Sequence, residues 1–102
     1  MLHRCSEFYF NQMVKHFKIK ITGSVQGVWY RGSMQKKAQD LGLYGIVKNE
    51  PDGSVYAEAE GEEIILEALV AWCEKGPELA LVKNVEITEG EIKGYHSFDV
   101  LR

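Results

Sequence analysis

A chain of 102 residues with 15 acidic and 12 basic side chains, formal charge −3, can hold one core and has no general attraction for nucleic acid or anionic lipid. Hydrophobic residues make up 45% of it and only two prolines interrupt it, a globular balance without repeats or biased segments. No apolar run approaches the roughly 20 residues of a membrane span, and the opening MLHRCSEFYFNQ lacks the apolar stretch and small-residue cleavage site of a secretory leader. Residues 1–12 therefore read as a poorly ordered extension, with Met13 as a natural start and residues 13–102 as the domain, the alternative being that Phe8-Tyr9-Phe10 docks on the domain or on a second chain. Cys5 and Cys73 stand far apart with no metal-ligand spacing around them, so a reduced cytoplasmic protein without a metal is expected.

From Phe17 the chain alternates. Phe17, Ile19 and Ile21 point one way and Lys18, Lys20 and Thr22 the other, the pattern of a half-buried strand. The stretch GSVQGVWYRG, Gly23 to Gly32, follows as a glycine-containing loop. Met34, Ala38 and Leu41 then recur at helical spacing up to a C-capping Gly42. Leu43–Asn49 reads as a second strand, Glu50-Pro51-Asp52-Gly53 as a tight reversal, and Ser54–Glu60 as the return strand of a hairpin. In that return strand Val55, Ala57 and Ala59 face the core, and Tyr56, Glu58 and Glu60 face solvent.

Gly61-Glu62-Glu63 opens a second helix with acidic residues at the positive end of its dipole. Ile65, Leu69 and Trp72 form its buried stripe and Gly76-Pro77 stop it. Two strands remain. Val82–Thr88 has Val85 and Ile87 inward, Ser97–Leu101 has Phe98 and Val100 inward, and a turn near Gly90 and Gly94 lies between them. The order β-α-β-β-α-β with an extra or split last strand predicts an α+β, ferredoxin-like sandwich, an antiparallel sheet covered on one face by two helices. That fold hosts enzymes, binding modules and regulatory domains alike.

A loop running from a strand into a helix N-terminus suits an anion, because its backbone N–H groups converge and the helix dipole favours negative charge. Arg31 in the first helical turn adds a planar, permanently charged fork that matches phosphate oxygens. Spacing alone leaves Arg31 open between this role and that of a solvated surface charge. Asn49 is open in the same way. Its amide could orient a water or ligand oxygen from the strand end, or it could simply prepare the turn that follows.

GSVQGVWYR resembles the first acylphosphatase signature and GIVKNEPDGSVYAEAEG the second, in the right order, and the resemblance extends over Val14 to Arg102. It implies that Arg31 is catalytic and binds phosphate together with the loop Ser24, Val25, Gln26, Gly27, Val28, Trp29 and Tyr30, and that Asn49 positions the attacking water. Gly23 and Gly27 would let the backbone curl around the phosphate, with Trp29 and Tyr30 anchoring or walling the curl. It further implies a small-molecule acyl phosphate as substrate, inorganic phosphate or sulfate as competing anion, no cofactor or metal, and a monomer. Three positions depart from the pattern. Ser24 stands where a larger basic residue is frequent, Ile46 where an aromatic is usual, and Glu50 where a hydroxyl residue is common. A Glu50 carboxylate pointing at the site would weaken phosphate affinity.

The residues themselves narrow the chemistry. An alkyl phosphate expels a poor alkoxide and calls for an acid, a metal or a strong nucleophile, none of which the two motifs contain. His16 and His96 lie outside them as surface or packing residues, and His3 lies in the extension. An acyl phosphate expels a carboxylate, whose conjugate acid has a pKa of about 4 and leaves without help. Positioning a water and stabilising the phosphoryl oxygens can then suffice. RNA-recognition motifs share the element order but need exposed aromatics and a basic face, whereas Ser54–Glu60 carries acids and Tyr56 alone. An acylphosphatase-like partner domain without turnover is the other rival, and the absence of a further domain in this chain favours a free-standing enzyme.

Overall fold

The structure, a computed structural model, describes residues 14–101. The extension expected at residues 1–12 lies outside the described residues. Strands β1 (Val14–Ser24), β2 (Tyr44–Asn49), β3 (Val55–Glu62), β4 (Leu81–Gly90) and β5 (Phe98–Val100) form one sheet in the order β4-β1-β3-β2-β5. Helices α1 (Tyr30–Asp40) and α2 (Glu63–Lys75) cover one face of it. This is the ferredoxin-like α+β sandwich the element order predicts.

Alternation sets the register. Ile19 lies between Ala57 of β3 and Ile87 of β4, and Ile21 between Val55 and Val85, so one face of the three strands is apolar throughout. Ile19, Ile21, Val55, Ala57 and Ala59 are fully buried there, with Met34 and Ala38 of α1 and Leu66, Leu69 and Cys73 of α2 on top. At about 1.5–3 kcal/mol for each large apolar side chain removed from water, this layer supplies the main stabilisation. The stripe of α2 is rotated from the expected one. Ile65 and Trp72 are only half-buried, because the helix centres on Leu66, Leu69 and Cys73 over β1 and β3. Ile87 shares the apolar face but stays partly exposed on the edge strand β4, whereas Val82 and Val85 of the same strand pack against the core.

Two expectations are corrected. The sheet is mixed rather than antiparallel: β5 runs parallel to β2, with Gly45 opposite Phe98 and Val47 opposite Val100. The chain reaches that edge by crossing from β4, so its last strand arrives beside Gly45–Val47 of β2 and not in a hairpin with β4. The second correction concerns the face away from the helices. Glu58 and Glu60 are buried there, not solvated, and so is His16. His16 Nδ1 lies 2.7 Å from Glu60 Oε2 and its Nε2 3.0 Å from Glu58 Oε1. The segment after β4 folds across them: Glu60 accepts the backbone N–H groups of Lys93, Gly94 (3.0 Å) and Tyr95 (3.2 Å). Glu58 accepts from Tyr56 Oη (2.6 Å), Tyr95 Oη (2.9 Å) and Lys93 Nζ (2.9 Å). Strand periodicity cannot reveal such a strap, because its partners come from a loop more than 30 residues away in sequence.

Candidate active site

The loop after β1 begins with a register shift between Thr22 and Gly23 where β1 pairs with β4. Gly23 has φ +131°, and a β carbon there would stand 2.2 Å from the Leu81 carbonyl oxygen, so only glycine lets the two strands come this close. Gly27 follows with φ +76°, turning the backbone back toward α1. Trp29 is the N-cap of α1, itself in the left-handed region at φ 64° and giving no side-chain cap; the first turn holds no acidic residue. The first N–H groups of α1 therefore carry no side-chain cap, and they open toward a cleft.

That cleft has a volume of about 430 Å³ and is lined by Val25, Gly27, Trp29, Tyr30, Arg31, Gly32, Asn49 and Val100. The two residues from the two sequence motifs thus meet in one place, Arg31 from the first turn of α1 and Asn49 from the end of β2. Arg31 Nη1 donates to the carbonyl of Leu101 at 3.3 Å, which holds the side chain along the cleft with further N–H groups to spare. Asn49 is half-buried. Its Oδ1 is buried and has no hydrogen-bond partner among the described residues, a condition costing about 1–3 kcal/mol unless a ligand or water meets it. A fixed cation, uncapped helix N–H groups and an amide oxygen converging on one cleft make a site for an oxyanion and a water beside it.

Other expected residues divide between cleft and support. Val25 is buried under the loop. Tyr30 contributes backbone to the cleft, but its ring runs into the core, packs on Trp72 at 5.4 Å and donates to the Cys73 carbonyl at 2.6 Å. Burial pushes its phenol well above the ordinary range, so it stays a neutral anchor. Ser24 closes β1 opposite Leu81, exposed, and Val28 packs half-buried against the core; neither lines the cleft. Gln26 turns its side chain away from the cleft, and its Nε2 donates to the carbonyls of Glu50 (2.8 Å) and Ser54 (2.9 Å). It ties the loop to the β2–β3 turn, which is closed by Glu50 N–H to the Ser54 carbonyl (2.8 Å) and by Asp52 Oδ1 accepting from Ser54 N–H (3.0 Å) and Oγ (2.6 Å). Those bonds from Ser54, helped by Lys20 3.1 Å away, hold the Asp52 carboxyl at about 2. The Glu50 carboxylate is 4.0 Å from Lys48 Nζ and is not part of the cleft wall.

Three contributors escaped the sequence reading. Gly32 and Val100 line the cleft and the Leu101 carbonyl holds Arg31. Gly32 could have been found, since it stands next to Arg31 in the first helical turn. Val100 and Leu101 carry no signal, because they reach the site only through the parallel pairing with β2, continued by Leu101 N–H to the Val47 carbonyl at 2.8 Å.

Known proteins match this combination. The family model described as Acylphosphatase matches residues 17–100. An acylphosphatase of Methylococcus capsulatus is 46% identical over 90 residues, covering 87% of this chain and 98% of that protein. The structure of an acylphosphatase from Coxiella burnetii superposes with a TM-score of 0.86 at 36% identity, covering 89% of this chain and 96% of that one. The acylphosphatase from Bacillus subtilis gives 0.84 at 34% identity, covering 88% of this chain and all of that one. With both signatures, the whole fold and these relatives in agreement, the chain belongs to the acylphosphatase family of acyl-phosphate hydrolases.

Proposed function

We propose that Arg31 and the backbone N–H groups of the loop residues that line the cleft, Val25, Gly27, Trp29 and Tyr30, bind the phosphoryl group of a small acyl phosphate, and that Asn49 holds the water that attacks it. The observation that carries this reading is the buried Asn49 Oδ1, unpartnered among the described residues, on the cleft that Arg31 also lines. An amide oxygen in that position accepts one water proton and aims the water's lone pair at phosphorus. The water oxygen forms the new P–O bond while the bond from phosphorus to the acyl oxygen breaks, and its electron pair leaves on the carboxylate. The water's proton passes to a phosphoryl oxygen. Arg31 and the helix N–H groups stabilise the charge spread over the equatorial oxygens.

Benzoyl phosphate, with inorganic phosphate or sulfate as competitive inhibitor, tests these roles. Asn49→Ala is expected to lower kcat about 10²–10³-fold, the scale of one lost positioning group, while the inhibition constant for phosphate stays within about twofold. Arg31→Ala is expected to lose both turnover and phosphate inhibition. Wild-type turnover in Asn49→Ala would overturn the assignment.

The same reading takes residues 13–102 as the catalytic domain, supported by the family match over 17–100 and by β1 beginning at Val14. It takes the protein as a cytoplasmic monomer. The buried free thiol of Cys73, pushed up to about 12 by burial, suits a reducing compartment. None of the helices among the described residues is long and apolar enough to cross a membrane.

A further inference from the structure

Trp29 is the most exposed large apolar residue among those described, at 82%, and it stands on the wall of the cleft beside Arg31. It is also the one non-glycine residue among them with positive φ, 64°. A bulky side chain in that conformation is strained where glycine or asparagine would not be. The ring does not project freely: a β carbon at Gly32 would lie 3.5 Å from its Cε3 and 4.0 Å from its Cζ3, so the indole lies across the first turn of α1. Gly32 leaves room for this placement, and Val100 stands half-buried on the same cleft.

The cleft is larger than its anion site requires. A phosphoryl group has four heavy atoms, whereas about 430 Å³ falls in the range of pockets that hold whole small ligands. With the phosphoryl group against Arg31 and the helix N–H groups, the rest of the substrate emerges past the neighbouring wall. The surfaces offered there are the indole of Trp29 and the side chain of Val100, both apolar and uncharged. The carboxylates next in sequence to the cleft residues are drawn elsewhere, Glu50 to Lys48 and Asp99 to the Ser97 hydroxyl.

We propose that Trp29 is a specificity-determining residue whose indole receives the acyl group, favouring acyl phosphates with an aromatic or other flat apolar acyl group over those with a small one. The proposal rests on the phosphate placement given above. An aryl group stacked on the indole gains an aromatic pair contact that a methyl group cannot make, corresponding to about threefold to tenfold in affinity.

The test compares two pairs of compounds: kcat/KM for benzoyl and acetyl phosphate, and binding of phenylphosphonate and methylphosphonate by calorimetry. Two variants separate ring from backbone. Trp29→Gly removes the ring and suits the left-handed backbone, and Trp29→Phe keeps an aromatic surface. The expected result is a fall of about threefold to tenfold in both aryl-to-methyl ratios for Trp29→Gly, with Trp29→Phe within about twofold of wild type. Ratios are used because any general loosening of the loop lowers both members of a pair together. Ratios unchanged in Trp29→Gly, with phosphonates still bound, would overturn the acyl role of Trp29 and leave the anion site standing. If the wild-type chain binds neither phosphonate and hydrolyses neither substrate, the anion site itself is wrong and the acyl role falls with it.

Discussion

Replacing Gln26 tests whether the cleft depends on the tie between loop and turn. Its Nε2 reaches two carbonyls, Glu50 at 2.8 Å and Ser54 at 2.9 Å, from a part-buried position. Both carbonyls also accept a backbone N–H within the turn, so neither is orphaned when the amide is removed. The cost of Gln26→Ala is therefore two ordinary hydrogen bonds, about 1–3 kcal/mol in all. Gln26→Glu is the sharper perturbation. It keeps the shape but aims a carboxylate, an acceptor only, at two acceptors. That variant should be less stable than Gln26→Ala at pH 7. The introduced carboxyl would titrate above its unfolded value of about 4.3, because protonation restores one donor. The sign follows: relative to wild type, the variant gains stability as pH falls through its raised folded pKa, and the gain is complete below the unfolded one. Urea midpoints of the three proteins between pH 7 and pH 4, read by far-ultraviolet circular dichroism, give the comparison. In parallel, kcat/KM should fall about tenfold or more in both variants, since the turn that follows Asn49 loses its tie to the phosphate loop. Gln26→Glu as stable and as active as wild type at pH 7 would refute the idea that this amide sets the site.

Two further outcomes follow from groups outside the cleft. Burial alone would raise the Glu58 carboxyl, but hydrogen bonds from Tyr56, Lys93 and Tyr95 outweigh it and hold the group at about 2. A carboxylate depressed in the folded state contributes stability above its unfolded pKa and loses it as pH falls, here roughly 3 kcal/mol between about pH 5 and pH 2. Glu58→Gln should flatten that part of the pH–stability curve, and an unchanged slope would refute the assignment. Tyr30→Phe removes the bond to the Cys73 carbonyl and should cost about 1–2 kcal/mol in denaturant titration while leaving the aromatic packing on Trp72 in place.

What could be read from the sequence was what rests on neighbours along the chain. The alternation from Phe17 to Ile21, the spacing of Met34 and Ala38, and the Glu50–Gly53 reversal are local, and each appears where expected. Arg31 and Asn49 were legible because each sits in a signature with its own local geometry, a glycine loop into a helix and a strand into a turn. What escaped depends on pairings distant in sequence. The parallel β5, the strap over His16, Glu58 and Glu60, and the Leu101 carbonyl beneath Arg31 all rely on where the segment after β4 travels. No periodicity encodes that path. The strap also explains why the acids of β3 misled: Glu58 and Glu60 look like a solvated face until the backbone N–H groups of residues 93–95 supply their partners.

The site is built from three separate stretches, and each is held by backbone carbonyls more than by charge pairs. Gln26 clasps the carbonyls of the turn after Asn49, Arg31 leans on the carbonyl of Leu101, and Tyr30 pins the start of α1 to the carbonyl of Cys73. Carbonyl partners do not neutralise a guanidinium as a carboxylate would, so Arg31 is positioned while its full charge remains for an incoming anion. An Asp or Glu in the place of the Leu101 carbonyl would position the arginine equally well but would compete with phosphate for it. Carboxylates that neighbour the site in sequence are occupied elsewhere, Glu50 by Lys48, Asp52 by Ser54 and Lys20, and Asp99 by Ser97. That arrangement fits the proposed task at an acyl phosphate, whose leaving group departs unaided: holding a phosphoryl group still beside a water calls for charge left unspent on the protein.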